Sequence, residues 1–266
     1  MADEVGELEC QGRLVKGKLV REAGTRKGGP RYRGPIKGFS KGSRKRLLDL
    51  CGRLDQGRIG RGKGQLYPAF LTITYGESYP SGAEAKRHLD SLFKWLKRRD
   101  DGGCGIWRLE YQRRGAPHFH VILLGVGYIA KEDIQAAWSR IIKQEQAFTR
   151  IEGLRSARHA MGYVAKYMGK VADEGSGGFN LGTYPTGAGT GRFWGVWNRK
   201  ALPFAPATKL VMSAKGFYAL RRVAARARRW SQLKQFKSFR VYGDAGVWVR
   251  LAVSFGGVKV DHPLRM

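Results

Sequence analysis

The chain has 266 residues, 42% hydrophobic and 11% aromatic, enough apolar material for one or two folded domains and too much for a wholly disordered chain. Lys and Arg number 50 against 21 Asp and Glu, a formal net charge of +29, so a polyanion is the expected partner and its binding should weaken with salt. Three scattered cysteines (Cys10, Cys51, Cys104) exclude a disulfide framework or a Cys-based zinc site, and no apolar run reaches membrane-spanning length.

Residues 1–65 are rich in Gly, Lys and Arg, as in Arg26-Lys27-Gly28-Gly29-Pro30, and read as a basic, largely irregular arm with one short helix near Ser43–Leu54. Such an arm is either a solubilising tail or a clamp on DNA. A core is expected over 66–205. It opens with a β-branched and aromatic strand, Ala69–Tyr75, and a helix whose Ser81-Gly82-Ala83-Glu84 start is a capping box. Leu89, Leu92, Phe93 and Leu96 then fall on one helical face. Strand-like runs Ile106–Tyr111 and His118–Leu124 follow, then helices over Lys131–Gln146 and Ser156–Val171. This order predicts an α+β fold, a central antiparallel sheet with helices packed on one face. Phe179–Thr190 is Gly-rich and loop-like, and Arg192–Trp197 reads as a strand. Residues 206–266 are expected to hold a basic helix over Ala214–Leu233 and a terminal hairpin over Tyr242–Val253, turning at Gly243-Asp244-Ala245-Gly246.

His118-Phe119-His120 lies within a strand, so both imidazoles point to one side while Phe119 points to the other. If Arg113-Arg114-Gly115 is a three-residue loop with Gly115 at positive φ, Gln112 opposes Ala116 and Glu110 opposes His118. Glu110 then joins the two histidines on one face. Two imidazoles and a carboxylate suit a catalytic metal with open positions, although a His-x-His pair can equally be packing.

Tyr163 and Tyr167 are four apart on the third helix, and each is followed three residues later by a lysine, Lys166 and Lys170. A free phenol of pKa about 10 is a weak nucleophile at neutral pH, and a nearby ammonium and a polarised phosphate offset part of that cost. The plainer alternative is a helix whose tyrosines cover the sheet. His159 either supports such a site or extends the stripe.

Glu110-x7-His118-Phe119-His120, Gly162-Tyr163-Val164-Ala165-Lys166-Tyr167 and Phe70-Leu71-Thr72-Ile73-Thr74-Tyr75 together resemble the HUH endonucleases over roughly residues 69–200. Among these the sequence is most similar to the phage replication initiators with paired tyrosines, the replication proteins of filamentous phages and the gene A proteins of microviruses. The resemblance implies Mg²⁺ or Mn²⁺ on His118, His120 and Glu110, with Tyr163 and Tyr167 as nucleophiles. Lys166 would be the companion base or phosphate orienter, and Lys170 extends that role by its spacing. The implied reaction nicks one strand of single-stranded or supercoiled origin DNA, leaves a 5′-phosphotyrosyl link and a free 3′-hydroxyl, and starts rolling-circle replication. The sequence carries no Walker-type motif, so a host helicase and polymerase in a bacterial cytoplasm are the implied partners.

Further DNA contacts are expected from Arg113 and Arg114 at the hairpin tip and from Arg221, Arg222 and Arg226 on the basic helix, where guanidinium forks suit phosphates. Two other readings stay open: a non-catalytic basic nucleic-acid-binding protein, and a tyrosine transposase or relaxase of the same superfamily.

Overall fold

The structure is a computed structural model that describes residues 4–21, 36, 38–145, 147–168, 190–228 and 237–260. It begins with strands β1 (Glu4–Gln11) and β2 (Leu14–Arg21), helix α1 (Lys41–Gly52), strand β3 (Pro68–Thr74) and helix α2 (Gly82–Arg99). Strands β4 (Cys104–Tyr111) and β5 (Pro117–Leu124), helix α3 (Lys131–Ile142), strand β6 (Phe148–Gly153) and helix α4 (Ala157–Tyr163) follow, the last continuing as a π-helical turn over Val164–Met168. The remainder is β7 (Trp194–Trp197), β8 (Ala207–Ser213), α5 (Ala214–Arg228), β9 (Ser238–Tyr242), α6 (Ala245–Ser254) and β10 (Val258–Lys259). The fold is α+β with two antiparallel five-stranded sheets, as the sequence predicts in class.

The contacts divide the chain into two compact units. One comprises Arg33–Leu48 and Gln56–Pro203, with the sheet order β6-β3-β5-β4-β7. Ser81 caps α2 by accepting from the Glu84 N–H at 3.3 Å, and α2 buries Ala85, Leu89, Leu92, Phe93 and Leu96, the face its periodicity predicts. Each of its larger apolar side chains contributes roughly 1.5–3 kcal/mol of transfer free energy. Phe93 stacks on Trp197 at 5.2 Å between centroids. On the same sheet face, Thr149 donates its hydroxyl to Gln135 of α3, and Trp138 donates its ring N–H to the Thr74 carbonyl at 2.8 Å. The α2–α3 layer therefore covers the face bearing Phe119, Ile73 and Thr149.

The other unit comprises Met1–Tyr32, Asp49–Asp55 and Phe204–Met266, with the sheet order β10-β8-β1-β2-β9. Its β1–β2 hairpin corrects the expectation of an irregular arm. Leu8, Cys10, Val15 and Leu19 alternate with Glu7, Glu9, Lys16 and Lys18. The apolar set packs under Phe217, Leu220 and Ala224 of α5 and Trp248 and Ala252 of α6. The opposite face pairs Glu7 with Lys18 and Glu9 with Lys16 across the strands. The terminal hairpin expected over Tyr242–Val253 is also corrected, because Asp244 caps a helix there by accepting from the Val247 N–H at 3.1 Å.

Within the first unit two further differences bear on function. The helix expected to reach Gln146 stops at Ile142, where Lys143 takes a left-handed conformation at φ 55°. Strand β6, which follows, has no counterpart in the sequence reading. The third helix turns from α to π geometry after Tyr163, and Lys170 and residues 179–189 of the expected loop lie outside the described residues. Among the described residues no helix is long and apolar enough to cross a membrane.

Candidate metal and nucleophile site

The sheet face away from α2 and α3 is polar over two of the rows that strand register sets out and largely apolar in the third. Glu110 on β4 opposes His118 on β5, which opposes Thr74 on β3. The next row runs Arg108, His120, Thr72 and Arg150, and the third runs Ile106, Ile122, Phe70 and Glu152. The β4–β5 connection is the loop the sequence predicts: Gly115 lies at φ +85°, and the Gln112 N–H donates to the Ala116 carbonyl at 2.9 Å. That turn sets the register that brings Glu110, His118 and His120 together.

Glu110 is the hub of the cluster. One carboxylate oxygen lies 3.0 Å from the Arg108 guanidinium and the other 3.3 Å from Nε2 of His120. Burial pushes its pKa up, but the hydrogen bond from His120 and the charge of Arg108 outweigh burial and hold it below the usual carboxylate range. Arg108 is itself only 1% exposed and lies 4.1 Å from the ring centre of Phe39. Nδ1 of His120 is 3.4 Å from the Thr72 hydroxyl, an outer contact that fixes which ring nitrogen faces Glu110. The His118 ring stands edge-on to His120 at 4.5 Å. Burial first, and then the charge of His120, push His118 down to about 4, so its imidazole is neutral at pH 7 and able to donate a lone pair. Its Nδ1 is buried with no hydrogen-bond partner among the described residues.

These side chains have the donor chemistry for a hard divalent ion with open positions: one carboxylate held ionised, one neutral imidazole with an orphan nitrogen, and one imidazole braced from behind. They are not spread as a ready cage. Among the described residues no group of three His, Cys, Asp or Glu side chains is arranged to hold a metal ion, and Glu110 closes on His120 instead. Binding would exchange that hydrogen bond for coordination.

The helix carrying the tyrosines packs against this polar face. Tyr163 of α4 sets its ring 4.6 Å from Phe70, and Phe70 is stacked on His120 at 5.4 Å with an interplanar angle of 16°. One aromatic ring thus separates the candidate nucleophile from the candidate ligand. The Tyr163 hydroxyl donates to Oε2 of Glu152 at 2.6 Å, and Arg150 pairs with the other oxygen of Glu152. His159 lies 5.2 Å from the Tyr163 ring, on its own helix. Lys166 is exposed on the π turn, and Tyr167 belongs to that turn, although its side chain lies outside the described residues. Glu152 is the residue that sequence reasoning misses. Its signal was the alternation Thr149-Arg150-Ile151-Glu152 between two helices, short but strand-like.

The arginines divide by environment. Arg114 spends its guanidinium on the carbonyls of Tyr75 (2.6 Å) and Gly76 and on the Gln112 side chain, tying the hairpin tip to the end of β3. Arg113 and Arg114 are both exposed. In the other unit Arg222 and Arg226 are exposed on α5, whereas Arg221 lies 4.8 Å over the Tyr218 ring.

The fold and this site define an α+β protein whose polar sheet face carries a His-x-His pair, an opposed glutamate and a tyrosine held above them. Residues 68–172, less than half of the chain, match the family model of the replication-associated protein ORF2. The crystal structure of the hypothetical protein ORF119 from Sulfolobus islandicus rod-shaped virus 1 is similar at 13% identity and a TM-score of 0.31, over 48% of this chain and 97% of that one. No curated protein matches the chain.

Proposed function

We propose that this protein is a replication initiator that nicks one DNA strand with a tyrosine, in the manner of rolling-circle enzymes. The observation that carries the reading is the placement of His118, His120, Glu110 and Tyr163 on one sheet face, with the Phe70 ring between phenol and imidazole. The similarity of residues 68–172 to replication-associated proteins and the formal net charge of +29 agree with it.

In this reading His118, His120 and Glu110 would hold Mg²⁺ or Mn²⁺, which would polarise the scissile phosphate and stabilise the charge that develops on it. The chain's own residues do the rest. The ring of Phe70 keeps Tyr163 upright over the face. The phenolic oxygen attacks phosphorus and remains attached as a 5′-phosphotyrosyl link, releasing a 3′-hydroxyl as primer. Lys166, exposed on the π turn, orients the phosphate, and Tyr163 and Tyr167 alternate as nucleophiles in successive strand transfers. Single-stranded or supercoiled origin DNA is the substrate, and strand opening is left to a host helicase.

The test is covalent capture. Purified protein incubated with Mn²⁺ and end-labelled single-stranded origin DNA should give an adduct that survives denaturant and disappears on protease treatment. Y163F/Y167F should form none, and H118A and H120A should lose the response to added metal. Salt-sensitive binding without cleavage under every divalent ion tried would leave a non-catalytic DNA-binding protein.

A further inference from the structure

We infer that Glu152 is a catalytic residue of this site, the group that takes the proton of Tyr163 when the tyrosine attacks. The inference rests on the nicking reading above and adds the proton path that reading lacks. Three observations point to it. Register puts Glu152 in the row of Phe70, on the same sheet face as His120. Its Oε2 accepts the phenolic hydrogen at 2.6 Å, within the contact distance a proton-transfer pair needs. Its other oxygen pairs with Arg150 of the same strand. Lys166, the alternative base, is exposed at the next turn, and its ammonium is better suited to a phosphate oxygen than to accepting a proton.

The step balances with no further reactant. The Tyr163 proton passes to Oε2 of Glu152 as the phenolic oxygen forms its bond to phosphorus. The bond from phosphorus to the 3′ oxygen breaks, its electron pair leaves on that oxygen, and the oxygen takes a proton from solvent. Glu152 then returns its proton to solvent. Rejoining runs each transfer backwards, with the Glu152 carboxylic acid protonating the departing phenolate. Among the described residues, this carboxylate contacts Arg150 from its own strand and Tyr163 from α4, with His159 beside the Tyr163 ring and Lys166 one turn further on. Phe70 of β3 faces it without titrating.

The experiment compares single-turnover adduct formation by the wild-type protein, E152Q and E152D from pH 6 to 9, with melting temperature and DNA affinity measured alongside. E152Q should keep its fold and affinity and lose about 10²–10⁴-fold in rate near neutrality. Its rate should climb with pH as hydroxide takes over the proton, where the wild-type rate levels off, and E152D should recover part of the loss. A folded E152Q that nicks at the wild-type rate with the wild-type profile overturns the assignment. So does a loss that neither high pH nor E152D repairs, which would make Glu152 an anchor for α4. A wild-type protein that forms no adduct sinks the nicking reading itself, a result distinct from either.

Discussion

At the residue scale the site is built from buried charges whose partners are specific. Arg108 is held by Glu110 and covered by Phe39, so R108M would leave the Glu110 carboxylate without its cation. Removing one member of a buried pair costs about 3–5 kcal/mol, and here the lower end applies because Glu110 is 26% exposed at its side chain. Urea unfolding of R108M should show a loss of about 3 kcal/mol with an unchanged m-value. His118 gives a pH signature. Its folded pKa of about 4 lies below the ordinary 6.5, so between those values the unfolded chain binds a proton that the folded protein refuses. Its contribution is therefore complete above 6.5 and lost as pH falls toward 4, by up to about 3 kcal/mol. Measured in chelator, H118Q should show a shallower decline than the wild-type protein over that window; equal slopes would contradict the assignment. Glu110 was legible in the sequence because a three-residue turn with one glycine dictates which side chain opposes His118. Glu152 was not, because its strand is six residues long and its partners come from β3, some 80 residues earlier.

At the scale of elements, turns and close approaches set the register. Gly115 sits at φ +85°, where a Cβ costs about 1–2 kcal/mol, so G115V should lose at least that much in denaturant unfolding. Its metal response should weaken too, since Glu110 and His118 face each other only in this register. Gly17 matters through space rather than φ: a Cβ there would lie 2.2 Å from Cε1 of Phe239. G17A should cost about 1–3 kcal/mol through displaced packing, seen as a lower melting temperature. The α2 cap and apolar face were readable because local signals and tertiary packing agree. Residues 245–254 misled because Val247, Val249 and Val253 favour strands, whereas Trp248 and Ala252, four apart, are the pair that packs inward. The N-terminal hairpin carried a period-two pattern in plain view, but its many charges masked the alternation. Gly12-Arg13 is its two-residue loop, with Gly12 at φ +58° where a primed turn needs it.

At the scale of the whole molecule, the net charge of +29 makes DNA affinity a salt-dependent quantity. R222Q/R226Q removes two exposed guanidinium groups of α5 and should lower the slope of log K against log salt by roughly 2, measured by fluorescence anisotropy. A slope equal to wild type would place DNA elsewhere. Both arginines were readable as basic helix residues, whereas the partition of the chain was not, since no local pattern reports that β1 pairs with β8. The register joins Val5 to Ser213 and Leu14 to Tyr242. During synthesis the first hairpin must therefore wait, its edges unpaired, until some two hundred further residues have left the ribosome. The sheet of β3 to β7 has all its strands by Trp197 and can close first. Closure of the two sheets thus runs from the middle of the polypeptide outward, and a charged first hairpin, with Glu7, Glu9, Lys16 and Lys18 on one face, is the kind that tolerates such a delay without recruiting a neighbour's strands.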